Sequence, residues 1–169
     1  MKVLILFFSL FTHFSHAQLG LGGNAALFTS LGKDNCFESV MGFNVKANAK
    51  INEILVFVVE VGYFSEEQKV NETTFIRSLT PVVICFDFLL FNSKLKPYFS
   101  TNAGLYRYNL SVEDASVSTS SFGAGAGIGL RNALSNNLSI DLGSKYNLVF
   151  IDNETNTFLN SNLGLLFYF

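Results

Sequence analysis

Apolar and polar residues alternate with a period of two along most of the chain beyond residue 17. Between residues 41 and 51, for example, every odd position is apolar and every even position is Gly, Asn or Lys. Because successive side chains of a β-strand point to opposite faces, this alternation predicts strands that are apolar on one face only. Eight such strands are predicted, at residues 18–29, 37–50, 54–64, 74–89, 96–109, 121–131, 138–150 and 158–169.

Two kinds of connection separate the predicted strands. Short turns are expected near 51–53, 90–95 and 132–137, and longer, more acidic loops near 30–36, 65–73, 110–120 and 151–157. A strand of about ten residues is also the length that a tilted strand needs to cross a bilayer. We therefore predict an all-β fold: a closed, eight-stranded, antiparallel, up-and-down transmembrane β-barrel.

The residues of the second face indicate which face lies outside. They are mainly Gly, Ser, Asn and Thr with isolated charges, and only 14% of the whole chain is charged, against about 25% in an average soluble domain. We predict that the bulky apolar face contacts lipid and that the small polar face lines the lumen. A secreted, soluble, lipocalin-like barrel that binds a ligand inside remains an alternative.

Glycine occupies every second position from Gly123 to Gly129. This strict spacing is typical of one face of a strand, and it does not match the phosphate-binding pattern of a strand-to-helix turn. An eight-stranded barrel has an interior just wide enough for side chains to fill. We expect these glycines to leave room for large lumen residues such as Tyr98 and Tyr106.

The first residues have the three-part pattern of a secretory signal peptide. Lys2 precedes an apolar run that is too short to span a bilayer as a helix, and small residues follow at 15 and 17. We predict cleavage between Ala17 and Gln18, which divides the chain into a signal peptide (1–17) and a barrel domain (18–169).

Cleavage would leave few side chains that could catalyse a reaction. Both histidines, His13 and His16, lie in the predicted signal peptide, so the mature chain has no imidazole for acid–base or nucleophilic catalysis. We predict no enzymatic activity, no catalytic residue, no metal and no other cofactor. The formal net charge of −2 offers no basic surplus for nucleic acid.

Charged residues within the strands are expected to pair, because a buried charge is costly when it has no partner. Reflection of the chain about the 65–73 loop brings Glu60 near Arg77, which predicts a lumen ion pair between them. The other predicted lumen charges are Lys46, Asp87, Asp141 and Lys145. Arg131 is grouped with the charges of the short-turn end.

The two cysteines are predicted to be unpaired. Cys36 falls at the long-loop end of the second strand and Cys85 near the short-turn end of the fourth. The opposite ends of a barrel are much farther apart than the roughly 7 Å between Cα atoms that a disulfide allows.

Together these features resemble the small outer-membrane β-barrel proteins of Gram-negative bacteria, the OmpA/OmpX-like group. The apolar residues Leu163, Leu165, Phe167 and Phe169 at the end of the chain are similar to that family's C-terminal assembly signal, and Lys96-Pro97-Tyr98 resembles another of its segments. The resemblance implies a monomer in the cell outer membrane. It also implies contacts with outer-membrane lipid and lipopolysaccharide, and with the barrel-assembly machinery through the last strand.

The function expected from these observations is that of an integral outer-membrane barrel without enzymatic activity. It would have a structural or surface-interaction role through its acidic extracellular loops, whose partner no motif identifies. A narrow, porin-like pore for small solutes or ions is the second alternative, beside the soluble ligand-binding barrel.

Overall fold

The fold is a single closed antiparallel sheet. The computed structural model of the chain describes residues 18–32, 39–70, 73–112, 115–151 and 154–169. Its strands are β1 (Gln18–Ser30), β2 (Ser39–Lys50), β3 (Leu55–Val70), β4 (Thr73–Leu89), β5 (Leu95–Val112), β6 (Ala115–Ala133), β7 (Leu138–Ile151) and β8 (Glu154–Tyr168). The predicted fold class is confirmed. The predicted signal peptide, with Ala17 of its cleavage site, and Cys36 lie outside the described residues.

Each strand pairs with the next one in the chain, and β8 returns to pair with β1. The closing ladder runs from Gly20 opposite Tyr168 to Ser30 opposite Phe158. Closure gives the backbone groups of the wall a hydrogen-bonding partner on both sides, which is required of a sheet that lies in lipid. Among the described residues, no helix is long and apolar enough to cross a membrane.

Several strands extend beyond their predicted ends. β3 continues to Val70 and β4 begins at Thr73, while β5 ends at Val112 and β6 begins at Ala115. The predictions of long loops at 65–73, 110–120 and 151–157 are therefore wrong, because most of these residues belong to strands; β7 continues to Ile151 and β8 begins at Glu154. The arms of the hairpins carry isolated exposed apolar side chains (Ile76, Leu110 and Val117) among polar residues, so the strands continue to pair after the regular apolar alternation has ended.

The hairpin arms form an open sheet beyond the closed wall. Pairing of β2 with β3 ends at Gly42 and Phe64, and pairing of β6 with β7 ends at Phe122 and Phe150. The strand pairs between them continue farther, as far as Val112 opposite Ala115. We call the extension, residues 65–70, 73–78, 107–112 and 115–121, the projecting sheet. Its edges are 65–70 on β3 and 115–121 on β6.

Candidate functional site: lumen and lipid-facing wall

The outer surface of the wall is apolar around its whole circumference. Ile128 has 69% of its surface exposed and Leu163 56%. The exposed belt also includes Leu19, Leu21, Phe43, Val45, Val61, Ile84, Phe86, Leu105, Leu142, Leu165, Phe167 and Phe169. A continuous apolar exterior of this kind requires a hydrocarbon solvent. The arrangement is the inverse of a soluble ligand-binding barrel, so that alternative is wrong.

Glu60 is held in the lumen by two lysines. Lys145 Nζ donates a hydrogen bond to Glu60 Oε2 over 2.7 Å, and Lys46 Nζ lies 3.7 Å from the same oxygen. Lys46 also donates to Asp141 Oδ2 over 3.2 Å. The side chains of Lys46, Glu60 and Lys145 are at most 6% exposed, so these are buried ion pairs.

Arg131 continues this chain of charges toward the short turns. Its Nε donates to Asp141 Oδ1 over 3.0 Å, and its Nη2 donates to Asp87 Oδ2 over 2.9 Å. Tyr98 donates to Asp141 over 3.3 Å, and Ser100 donates to Asp87 over 2.7 Å. We call Lys145, Glu60, Lys46, Asp141, Arg131 and Asp87 the lumen ion network; its positive and negative charges alternate and balance.

The predicted ion pair between Glu60 and Arg77 is wrong. In the β3–β4 register Glu60 lies opposite Val83, whereas Arg77 lies opposite Glu66. These positions are six residues apart along β3, or about 20 Å at the rise of a strand. The prediction placed the turn in the middle of 65–73. Because β3 continues to Val70 and β4 begins only at Thr73, each residue of β3 lies opposite a residue of β4 that is farther along the chain than predicted.

The structure places the other predicted lumen charges, Lys46, Asp87, Asp141 and Lys145, inside the barrel, each no more than 5% exposed. Arg131, predicted to lie with the charges of the short-turn end, is also buried in the lumen. Its position was readable from the chain, because it continues the alternation of Gly127 and Gly129 on the inward face of β6. Arg131 was predicted to belong to the turn because it lies near the end of the strand.

Cys85 is buried in the lumen and is a free thiol. Lys145 Nζ lies 3.4 Å from its sulfur. The other cysteine of the predicted unpaired set, Cys36, lies outside the described residues.

Apolar side chains close the lumen on the side of the projecting sheet. Phe28, Phe64, Leu79, Val149 and Phe158, which we call the apolar plug, are at most 1% exposed. The ring of Phe28 lies 5.2 Å from that of Phe64 and 4.8 Å from that of Phe158, measured between centroids. The prediction that the lumen is lined mainly by small polar residues does not hold at this level, where the lining is apolar.

Glycines of β6 make room for the large lumen side chains, as predicted. A Cβ built on Gly129 would overlap the ring of Tyr98, and one on Gly123 would lie 2.6 Å from the ring of Tyr106. Tyr106 uses the space to donate a hydrogen bond to Asn147 Oδ1 over 3.1 Å. The polar layer between the plug and the ion network is thereby filled with side chains.

The chain thus forms a closed eight-stranded barrel with an exposed apolar belt and a lumen that contains buried charges and an apolar plug. The family description "Outer membrane protein beta-barrel domain" matches residues 3–169. The chain belongs to this family. It is therefore a transmembrane barrel of the cell outer membrane, where it lies among lipid and lipopolysaccharide, and the resemblance found in the sequence is confirmed.

Solved structures of other outer-membrane barrels share this fold at low sequence identity. Neisserial surface protein A is 22% identical, with a TM-score of 0.65 over 92% of this chain and 98% of that one. Ail of Yersinia pestis is 18% identical, with a TM-score of 0.62 over 90% and 97%. The N-terminal barrel of Pseudomonas aeruginosa OprF is 17% identical, with a TM-score of 0.54 over 91% and 100%. A comparison with curated proteins gave no match.

Proposed function

We propose that this outer-membrane barrel has no enzymatic activity and acts as a structural and surface-interaction protein. The role is assigned to its acidic hairpin end, by which we mean the end of the barrel that carries the projecting sheet. The observation that carries the proposal is the contrast between the two parts of the molecule. The lumen contains the apolar plug and the lumen ion network, whereas the projecting sheet has strand edges that pair with none of the described residues. Function is therefore assigned to the projecting sheet.

The edges of the projecting sheet differ in how they favour contact with another chain. The β3 edge carries Glu67 and Lys69, whose side chains are 58% and 72% exposed and lie 3.8 Å apart. The β6 edge, residues 115–121, contains only Ala, Ser, Val and Thr. Charges on an edge strand discourage pairing, and an uncharged edge offers free backbone groups to an extended segment. The β6 edge is thus the side that favours a polypeptide partner.

The charge of the hairpin end favours a basic partner. In the chain, the eight acidic residues at 34, 66, 67, 72, 113, 114, 152 and 154 outnumber the four basic residues at 33, 69, 77 and 107. Ail, the attachment invasion locus protein of Yersinia pestis, has been crystallised with the heparin analogue sucrose octasulfate. An acidic end repels such a polyanion, so we infer that this chain selects cationic rather than sulfated surfaces.

Cysteine labelling on intact cells tests which end of the barrel is outside. In a Cys36→Ser background, Val117→Cys on the β6 edge is expected to react with a membrane-impermeant maleimide. Asn136→Cys, in the exposed turn after β6, is expected to react only after the outer membrane is opened. Cys85, which is buried, is expected not to react in either case and serves as the internal control. The reverse pattern would place the acidic end in the periplasm and overturn the proposed role.

The pore alternative is less well supported, because the apolar plug closes the lumen on the side of the projecting sheet and the lumen ion network crosses it beyond the plug. Planar bilayers that contain the purified barrel are expected to show no steady single-channel conductance. Insertion is checked by the different gel migration of unheated and boiled samples, which distinguishes a folded barrel from an unfolded chain. Stable open-state currents from verified folded protein would favour the pore over a closed structural barrel.

Export and assembly complete the proposal. We propose cleavage between Ala17 and Gln18, and recognition of Leu163, Leu165, Phe167 and Phe169 by the barrel-assembly machinery. All four side chains are exposed on the lipid side of β8 or just after it. They are thus available to a partner before the strand closes against β1. We also propose that the assembled barrel is a monomer.

A further inference from the structure

A cavity of about 230 Å³ opens at the short-turn end of the lumen. Its walls include Gln18, Lys50, Lys96, Arg131, Ser139 and Tyr168, which come from β1, β2, β5, β6, β7 and β8. We call this cavity the turn-end vestibule. Its volume is several times the roughly 30 Å³ that one water molecule occupies in the liquid, so it can hold a small solute or a lipid headgroup.

The charged residues that line the vestibule are all basic: Lys50, Lys96 and Arg131. Lys50 and Arg131 both act on Lys96 as like charges, and Glu53 is the carboxylate that opposes them. The Glu53 carboxylate also accepts a hydrogen bond from Asn92 Nδ2 over 3.2 Å. No ion pair within the described ranges includes Lys50 or Lys96. Like charges gathered around one cavity attract an anion.

Arg131 supplies a second, independent indication. Its side chain is 5% exposed, and its Nε and Nη2 are bound to Asp141 and Asp87. Its remaining nitrogen, Nη1, is buried and makes no direct hydrogen bond within the described ranges, and the side chain of Tyr168 lies close to the guanidinium. A buried donor of a charged group is costly to leave unsatisfied. An anion oxygen in the vestibule would give Nη1 an acceptor.

We propose that the turn-end vestibule binds a phosphate group, with Lys50 and Lys96 contacting it from the rim and Arg131 Nη1 from the interior. A phosphate group has enough oxygen atoms to meet all three donors at once, and charge-assisted bonds to Arg and Lys are its usual ligands. The proposed cleavage after Ala17 would add the α-amine of Gln18 to the same wall. The phosphate group belongs either to a soluble phosphate compound or to a phospholipid headgroup.

Calorimetric titration of the barrel, extracted from the outer membrane into maltoside detergent, tests this site with inorganic pyrophosphate as the probe. We expect saturable binding that the double variant Lys50→Gln/Lys96→Gln weakens by about tenfold or more. The matched control is Lys94→Gln, which removes an exposed lysine of the same end that does not line the vestibule. It is expected to change affinity by less than about twofold. Heat-shifted gel migration verifies that each variant is folded.

The same titration in phospholipid nanodiscs distinguishes the two sources of the phosphate group. Binding that is retained in nanodiscs identifies a soluble phosphate compound, and binding that is lost there identifies a headgroup that already occupies the vestibule. Absence of saturable binding in maltoside would overturn the proposal. An equal loss of affinity in Lys94→Gln and in the double variant would overturn it too, because it would indicate general attraction to a basic surface. Neither result depends on the role proposed for the opposite end.

Discussion

Replacement of Asp141 by asparagine is expected to destabilise the barrel by about 3 kcal/mol, the scale of breaking a buried ion pair. Asp141 accepts from Lys46 over 3.2 Å and from Arg131 over 3.0 Å. The amide keeps the shape of the carboxylate but removes its charge, so the lumen ion network is left with a surplus positive charge in a water-poor interior. The free energy of unfolding is measured with urea in phospholipid vesicles, from the fraction that migrates as folded on unheated gels.

Glu67→Gln is the matched control for this prediction. It also neutralises a carboxylate that lies near a lysine, but Glu67 and Lys69 are 58% and 72% exposed and 3.8 Å apart. Exposed pairs of this kind contribute between about 0 and 1 kcal/mol. In the double variant Asp141→Asn/Lys46→Met the surplus charge is removed, so part of the lost stability should return. Equal stability of Asp141→Asn and the parent barrel would show that the network contributes nothing to folding.

Replacement of Gly129 by alanine is the second large effect, with an expected loss of about 1–3 kcal/mol from overpacking. The added Cβ would overlap the ring of Tyr98. That ring has little freedom to withdraw, since its hydroxyl donates to Asp141 and the guanidinium of Arg131 lies 5.1 Å from its centroid. The same urea titration measures the loss.

Gly23→Ala is the control, because a Cβ at Gly23 would meet its nearest neighbour, the backbone oxygen of Asn44, at an ordinary 3.7 Å. It is expected to leave stability within about 0.5 kcal/mol of the parent. Gly129→Ala should also be nearly neutral in a Tyr98→Val background, because the clash and its cause disappear together. A full loss of stability in that background would mean that the glycine is needed for its backbone and not for the space it leaves.

The location of the strands was predictable because each residue of the wall experiences lipid on one side and the lumen on the other. This difference imposes alternation on the chain wherever the strand crosses the membrane. It is absent in the arms of the projecting sheet, where residues 115–120 are exposed. The alternation therefore predicts the membrane-spanning parts of β5 and β6, whereas their outer arms lack it and were predicted to be loop.

The partners of the lumen charges were not predictable in the same way. Glu60 and Lys145 are 85 positions apart in the chain and belong to β3 and β7, which are not neighbours in the sheet. They meet across the interior, so their contact depends on closure and on the register of every strand between them. Counting outward from one turn predicts contacts only between adjacent strands. Because the turn between β3 and β4 was predicted at the wrong position, even the predicted contact between Glu60 and Arg77 was wrong.

The sequence by itself determined the number of strands, the face that each presents to lipid, and most of the charges that the lumen contains. These properties follow from one-dimensional spacing, because a strand converts odd and even positions into two surfaces. Only the tertiary structure decided which charges pair, where Phe28, Phe64 and Phe158 seal the interior, and how Lys50, Lys96 and Arg131 come to surround one cavity. Those contacts depend on distances across a closed sheet, which spacing along the chain does not specify.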